Sequence, residues 1–282
     1  MVANETKAVI IGLGQIGGSL AMALKRAGFF ESVGGYDIHA QRLQKAGAFL
    51  DVDSSDLDGA ISAVDLVILA APILENIRIL KFGIKNYPDK LYTDVGSTKR
   101  QILEASGKAP EVRFIGGHPF TGTENEGESG WDESLFRQKT YFWVPEANQA
   151  PEDVELLIGM IEAIGAIPKP VTAEEHDQVL ALTSHLPILV SLGLTGLIQE
   201  GGINADDFVG SGFLSAARLA GGSPEMGKDI LLSNREAVLD ELIRFINELS
   251  ALVANLREPD GEELLQMMKE YQQIYLQLMS DR

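Results

Sequence analysis

The chain has 282 residues, 45% of them apolar, and its 23 Lys and Arg against 41 Asp and Glu give a formal net charge of −18. A chain of this length and composition buries a substantial core, with two domains of ordinary size as the starting expectation. Its charge opposes nucleic-acid phosphates and anionic membranes, and the lack of cysteine excludes disulfides, thiolate metal sites and cysteine nucleophiles.

Met1 to Thr6 is short and polar and runs straight into an apolar segment, so no export signal is expected and the cytoplasm is the expected location. Strands are predicted at Lys7 to Gly12, Ser32 to Asp37, Leu66 to Ala71, Leu91 to Val95 and Phe114 to Gly116. Helices are predicted between them at Ser19 to Ala27, Ala40 to Ala46, Ile73 to Phe82 and Lys99 to Ala105. Tyr141 to Pro145 reads as another strand, Glu152 to Ile164 as a helix and Ile167 as a last short strand. Such alternation predicts an α/β fold, a mostly parallel, doubly wound sheet of the Rossmann type. Beyond Pro168 and Pro170 strand signals cease and the pattern is all-α. A boundary at 170 is therefore expected, with a dinucleotide-binding domain at 1–170 and a helical substrate and dimerisation domain at 171–282.

Gln178 to Ile198 carries no Lys, Arg, Asp or Glu and is long enough to span a bilayer. Its Thr183, Ser184, His185, Pro187, Ser191 and Thr195, in an acidic chain, favour instead a helix buried between subunits or domains. Ser233 to Leu256 and Gly261 to Met279 read as amphipathic hairpin helices, and a helical domain this small is expected to complete its core as a homodimer.

The first chemical signal is Gly12-Leu13-Gly14-Gln15-Ile16-Gly17, between a predicted strand and a predicted helix. Gly12 permits a tight turn, Gly14 lets the backbone approach a pyrophosphate, Gly17 allows close helix packing, and the helix N-terminus offers amides to phosphates. Asp37 closes the second strand twenty residues after Gly17, where a carboxylate accepts from an adenosine ribose and repels a 2′-phosphate. NAD is thereby expected over NADP, with Arg42 too far along the next helix to decide the matter. Ala71-Pro72 ends a strand where small residues would let the chain pass the nicotinamide ribose, although a plain strand end before a helix reads the same way. Ser97, in Asp94-Val95-Gly96-Ser97-Thr98-Lys99-Arg100, lies at the carboxyl edge of the sheet, either at the ligand or as a helix N-cap. Gly116-Gly117-His118-Pro119-Phe120-Thr121-Gly122-Thr123-Glu124 adds an imidazole suited to take a proton at neutral pH as a hydride leaves.

GLGQIGGSLA, DVGSTK, GGHPFTGTE, HDQVLALTSHLP and SGFLSAARLAGGSPEMG together resemble, in the same order, the prephenate and arogenate dehydrogenases of tyrosine biosynthesis. The resemblance implies an NAD(P)-dependent oxidative decarboxylation that needs no metal, in a cleft between a nucleotide-binding and a helical dimerisation domain. It implies that His118 is the catalytic histidine and that Ser97 orients it and touches the substrate alcohol. Thr123 and Glu124 would line the substrate mouth, His185 would bind substrate, Arg218 would pair with a substrate carboxylate, and Asp177 would be structural. In the implied reaction, hydride loss from the ring alcohol carbon of prephenate creates a dienone that loses carbon dioxide to become aromatic.

The chain departs from the family pattern at Ile188, where many members carry a second histidine, at Leu214-Ser215, where they carry a basic residue and an aspartate, and at Gly227, where they carry a tryptophan. These positions border the substrate side chain and leave prephenate and arogenate both open. With the sequence stopping at Arg282, feedback by tyrosine is expected only at the active site. The competing readings are another two-domain hydroxyacid or imine oxidoreductase and a non-catalytic NAD-sensing protein.

Overall fold

The computed structural model describes residues 5–107, 112–122, 127–200 and 209–280, without the side chains of 199 and 200. The chain divides into two compact units, Met1–Arg235 and Glu236–Arg282.

In the first unit, β1 (Lys7–Ile11), α1 (Gln15–Ala27), β2 (Ser32–Tyr36), α2 (Ala40–Ala46), β3 (Val52–Ser54), α3 (Leu57–Ser62), β4 (Leu66–Leu69), α4 (Ile73–Asn86), β5 (Leu91–Asp94), α5 (Arg100–Ser106) and β6 (Phe114–Ile115) follow one another. The six strands form one sheet in the order β3-β2-β1-β4-β5-β6, every pair parallel. That order places the reversal of strand order between β1 and β4, where such folds bind ligands. β1 and β4 read as unbroken apolar runs because both faces of the sheet are covered. Ala8 and Ile10 pack with Leu20 and Leu24 of α1 on one face, whereas Val9 and Ile11 pack with Ile61, Ile79 and Leu80 on the other.

A second sheet stands apart from the first. It joins β7 (Gly117–Pro119), β8 (Thr140–Trp143) and β9 (Ile167–Pro170), with β7 antiparallel and β9 parallel to β8. The strands predicted around Tyr141 and Ile167 thus extend this sheet, and Phe114 to Gly116 is divided at Gly116. The cause is a contact distant in sequence: the Gly117 amide turns to Asp94 Oδ1 at 3.0 Å and lifts the chain off the edge of the first sheet. α6 (Pro151–Ala163), with proline in its first turn, packs Leu156, Leu157, Met160 and Ile161 onto the core.

After β9 the described chain is helical. α7 (Ala173–Leu180) starts with Thr172 Oγ1 accepting from the Glu175 amide at 3.1 Å, a side-chain cap that satisfies one open amide. A π-turn, Ala181–His185, leads into α8 (Leu186–Glu200), and the Leu186 amide bonds back to the Ala181 carbonyl. Pro187 has no N–H for the Thr183 carbonyl, so the helix register shifts at this point. α9 (Ser211–Ala217), a 3₁₀ turn (Arg218–Gly221) and α10 (Pro224–Ser233) complete the unit. Ala173–Ile198 is long and apolar enough to cross a bilayer, and 22% of its most apolar window is buried by the chain itself.

α11 (Arg235–Arg257) starts at the last residue of the first unit, and α12 (Glu262–Ser280) follows within the second. Tyr271 Oη donates to Glu248 Oε2 at 2.9 Å, tying the two helices of this unit. Ile243, Ile246, Val253 and Leu256 on α11 and Ile274, Tyr275 and Leu278 on α12 are exposed.

Candidate active site

β1 ends at Ile11 and the chain turns at Gly12, whose φ of +98° lies where L side chains rarely go. A Cβ there would sit 2.7 Å from the Ala71 amide nitrogen, and one on Gly17 would sit 1.9 Å from the Gly12 carbonyl oxygen. These two glycines therefore serve close packing of the chain on itself. Gly14 differs, because a Cβ there would meet no atom of the described residues within 4 Å. It is the N-cap residue of α1, whose first turn, opening on Gln15 and Ile16, has no acidic residue and no side-chain cap. Open space at Gly14 beside a helix N-terminus of partial positive charge fits a bound dinucleotide pyrophosphate. Trp131 braces the loop by donating from Nε1 to the Leu13 and Gly14 carbonyls at 3.2 and 3.0 Å.

Asp37 follows β2 and is buried. Its Oδ2 accepts from the Leu13 amide and its Oδ1 from the His39 amide, both at 2.7 Å. Each oxygen keeps acceptor capacity for a ribose hydroxyl. The expectation that Arg42 lies too far away fails, since its Nη1 is 3.6 Å from Asp37 Oδ2 and its Nε is 3.5 Å from Glu128. One helical turn into α2 is enough to point the long side chain back at the strand end. Ala71 donates its amide to Asn76 Oδ1 at 3.0 Å, and Pro72 is the N-cap residue of α4. Asn76 Nδ2 donates to the Leu69 carbonyl, so a buried amide fixes the Ala71-Pro72 bend.

The second half of the site is built on histidines. His118, on β7 opposite Phe142, is buried with Phe120 edge-on to its ring. Its Nδ1 lies 2.8 Å from His176 Nε2, and His176 Nδ1 lies 2.7 Å from Asp177 Oδ1. A carboxylate only accepts, so His176 carries its proton on Nδ1 and accepts at Nε2. His118 then donates from Nδ1 and keeps a lone pair at Nε2. Burial, together with His176, Lys99 and His185, holds the His118 pKa well below 6.5, so the ring is a neutral base at neutral pH.

Asp177 also accepts from the Lys99 and Arg100 amides at 2.8 and 2.9 Å and thereby caps α5 from outside the helix. Ser97 is therefore not the cap of α5. Its half-buried hydroxyl has no partner among the described residues. Asp94 couples the two loops, accepting from the Gly96 amide at 2.8 Å as well as from Gly117, so one carboxylate holds the neighbours of Ser97 and of His118. The fully buried Lys99 ammonium answers that charge and also donates to the Gly117 carbonyl at 2.5 Å.

His185 ends the π-turn. Asn234 Nδ2 lies 3.2 Å from its Nδ1 and also donates to the Asp177 carbonyl at 2.6 Å. His185 Nδ1 is thus an acceptor, and its buried Nε2 carries a hydrogen with no partner among the described residues. Burial lowers its pKa to about 4.

Arg218 opens the 3₁₀ turn after α9 and is exposed. Thr123 and Glu124 lie outside the described residues. Sequence reading missed His176 and Asn234 as site residues. The first is signalled only by its position in the HD pair, and the second by nothing local.

A dinucleotide loop and a buried neutral histidine in one unit define a dehydrogenase. Prephenate dehydrogenase, nucleotide-binding domain, matches residues 20–168, and prephenate dehydrogenase, dimerization domain, matches residues 172–270. Prephenate dehydrogenase of Bacillus subtilis (strain 168) is 31% identical over 280 residues, covering 94% of this chain and 75% of the relative. The crystal structure of Aquifex aeolicus prephenate dehydrogenase with hydroxyphenyl propionate and NAD+ has a TM-score of 0.89 at 28% identity, covering 97% of this chain and 98% of that one. Synechocystis arogenate dehydrogenase has a TM-score of 0.74 at 30% identity, covering 95% and 99%. The chain belongs to the prephenate dehydrogenase family and is an oxidoreductase with a nucleotide-binding domain.

Proposed function

We propose that this chain converts prephenate to 4-hydroxyphenylpyruvate with NAD+, and the lone pair left on His118 Nε2 is the observation that carries the reading. His118 accepts the proton of the ring alcohol, helped by the Ser97 hydroxyl. Bound NAD+ supplies the hydride acceptor. The resulting dienone loses carbon dioxide, and aromatisation makes the step one-way. The His185 Nε2–H, without a partner among the described residues, donates to a substrate carboxylate, Arg218 pairs with a carboxylate through its planar fork, and Thr123 and Glu124 line the mouth. Gly12, Gly14, Gln15, Ile16 and Gly17 hold the pyrophosphate, Asp37 the ribose, and Ala71, Pro72 and Ser97 flank the nicotinamide. The Asp37 carboxylate favours NAD+ over NADP+.

Residues 1–170 form the dinucleotide-binding domain and 171–282 the substrate and dimerisation domain. The end of the last strand at Pro170 and the join between the two family matches support this division. Leu192 and Leu197 of α8 and the apolar faces of α11 and α12 are exposed, which supports burial in a cytoplasmic homodimer. Initial rates of NADH and NADPH formation, with prephenate and arogenate each as substrate, test the activity. Faster NADH formation with prephenate is expected, a preference for arogenate would move the assignment to that acid, and no turnover with either would overturn it.

A further inference from the structure

We infer that His176, backed by Asp177, sets the tautomer of His118 and receives its Nδ1 proton during substrate oxidation, so that the three side chains act as one proton relay. The dehydrogenase reading above supplies the substrate for this inference, while the hydrogen bonds inside the chain supply its geometry.

The contacts run in one direction. Asp177 Oδ1 is 2.7 Å from His176 Nδ1, and His176 Nε2 is 2.8 Å from His118 Nδ1. Asp177 is immobilised by the Lys99 and Arg100 amides on its carboxylate and by Asn234 on its carbonyl. His118 is a poor place to store a positive charge, being buried near the Lys99 ammonium and the His176 and His185 imidazoles. His176 is buried as well, and Lys99 also disfavours its charged form, but Asp177 is in direct contact and favours it, with Asp94 adding to this. On the far side of the pair lies Phe142, whose ring carries the Lys169 ammonium 5.9 Å from its centroid.

The substrate O–H bond breaks and its proton joins His118 Nε2, while the His118 Nδ1 proton passes to His176 Nε2. His118 is again neutral, and His176 becomes an imidazolium against the Asp177 carboxylate. The carbinol C–H bond breaks as its electron pair leaves as hydride to NAD+, which is reduced as the alcohol is oxidised to a ketone. Loss of carbon dioxide leaves the electron pair of the broken C–C bond on the ring as a phenolate, and the extra proton returns along the same path to that oxygen, giving the phenol and resetting His176. His176 is thus a positioning residue that acts through His118.

Imidazole ¹⁵N NMR of the ligand-free protein tests the first half directly. His118 protonated at Nδ1 and bare at Nε2 is expected, and the opposite tautomer overturns the relay whatever the enzyme's activity. His176→Gln tests the second half, since a Gln Oε1 can accept from His118 Nδ1 but cannot take its proton. The variant should keep the His118 tautomer and both KM values, lose about 100-fold in kcat, and move the acid limb of its kcat profile to lower pH. The shift follows because the proton must then stay on His118, away from Asp177. Wild-type kcat with an unchanged pH profile in His176→Gln would overturn the relay. Absence of turnover in the unaltered protein would instead count against the proposed reaction, with the tautomer still deciding the geometry.

Discussion

The side-chain amide of Asn234 lies 3.2 Å from His185 Nδ1, and that contact decides which nitrogen of the histidine holds its hydrogen. The donor left at Nε2 is buried without a partner among the described residues, at a cost of about 1–3 kcal/mol that an acceptor on the proposed substrate would recover. Asn234→Asp would accept from Nδ1 and turn Nε2 into an acceptor facing a substrate carboxylate. Steady-state kinetics should give a substrate KM raised by about 10-fold or more, with NAD+ affinity unchanged. An unaltered substrate KM would remove His185 from the binding site.

The dinucleotide loop separates two kinds of glycine. Gly14→Ala meets no atom of the described residues, so its melting temperature should match that of the unaltered protein while NAD+ binding weakens markedly by calorimetry. Gly17→Ala drives a Cβ to within 1.9 Å of the Gly12 carbonyl oxygen and should lose about 1–3 kcal/mol of stability in denaturant. Intact NAD+ affinity in Gly14→Ala would show that the open space there is not the pyrophosphate site.

The proposed preference for NAD+ over NADP+ is tested at the pair of Arg42 and Asp37. Asp37→Asn keeps one acceptor for the loop amides but removes the charge that opposes a 2′-phosphate, with the Arg42 guanidinium 3.6 Å away in the unaltered protein. The ratio of kcat/KM for NADP+ to that for NAD+ should rise, and Asp37→Asn combined with Arg42→Ala should reverse the gain. An unchanged ratio in the single variant would show that this carboxylate does not read the ribose.

Acid sensitivity follows from the three buried histidines. His118, His176 and His185 all have pKa values lowered from 6.5 by burial, His185 to about 4, so over that window the unfolded chain binds more protons than the folded one. Stability therefore rises with pH from about 4 to 6.5 and is lost on acidification through that range. Thermal melts at pH 7.5 and pH 5 should show the lower midpoint at pH 5, with a smaller difference in His185→Gln. Equal midpoints for the unaltered protein would contradict the burial of these rings in their neutral forms.

Much of the fold was legible because parallel strands covered on both faces appear as bare apolar runs, as in Ala8 to Ile11 and Leu66 to Leu69. β3 and α3 were not legible, since Val52–Ser54 is three residues long in an acidic stretch and has no hydrophobic pattern. The division at Gly116 was hidden as well, because it depends on a carboxylate 23 residues earlier in the chain. Within the site, glycine spacing announced the dinucleotide loop, a purely local device. The partners of His118 and His185 come from α7 and from the residue after α10, 58 and 49 positions away, where no local pattern marks them.

The cap that Asp177 places on α5 reaches from a helix after β9 to one between two strands of the parallel sheet. Under the proposed function, cofactor binding and the setting of the His118 tautomer draw on different stretches of the chain. Without α7 the parallel sheet would keep every contact described for the glycine loop, whereas His118 Nδ1 would lose its acceptor and either ring nitrogen could carry the hydrogen.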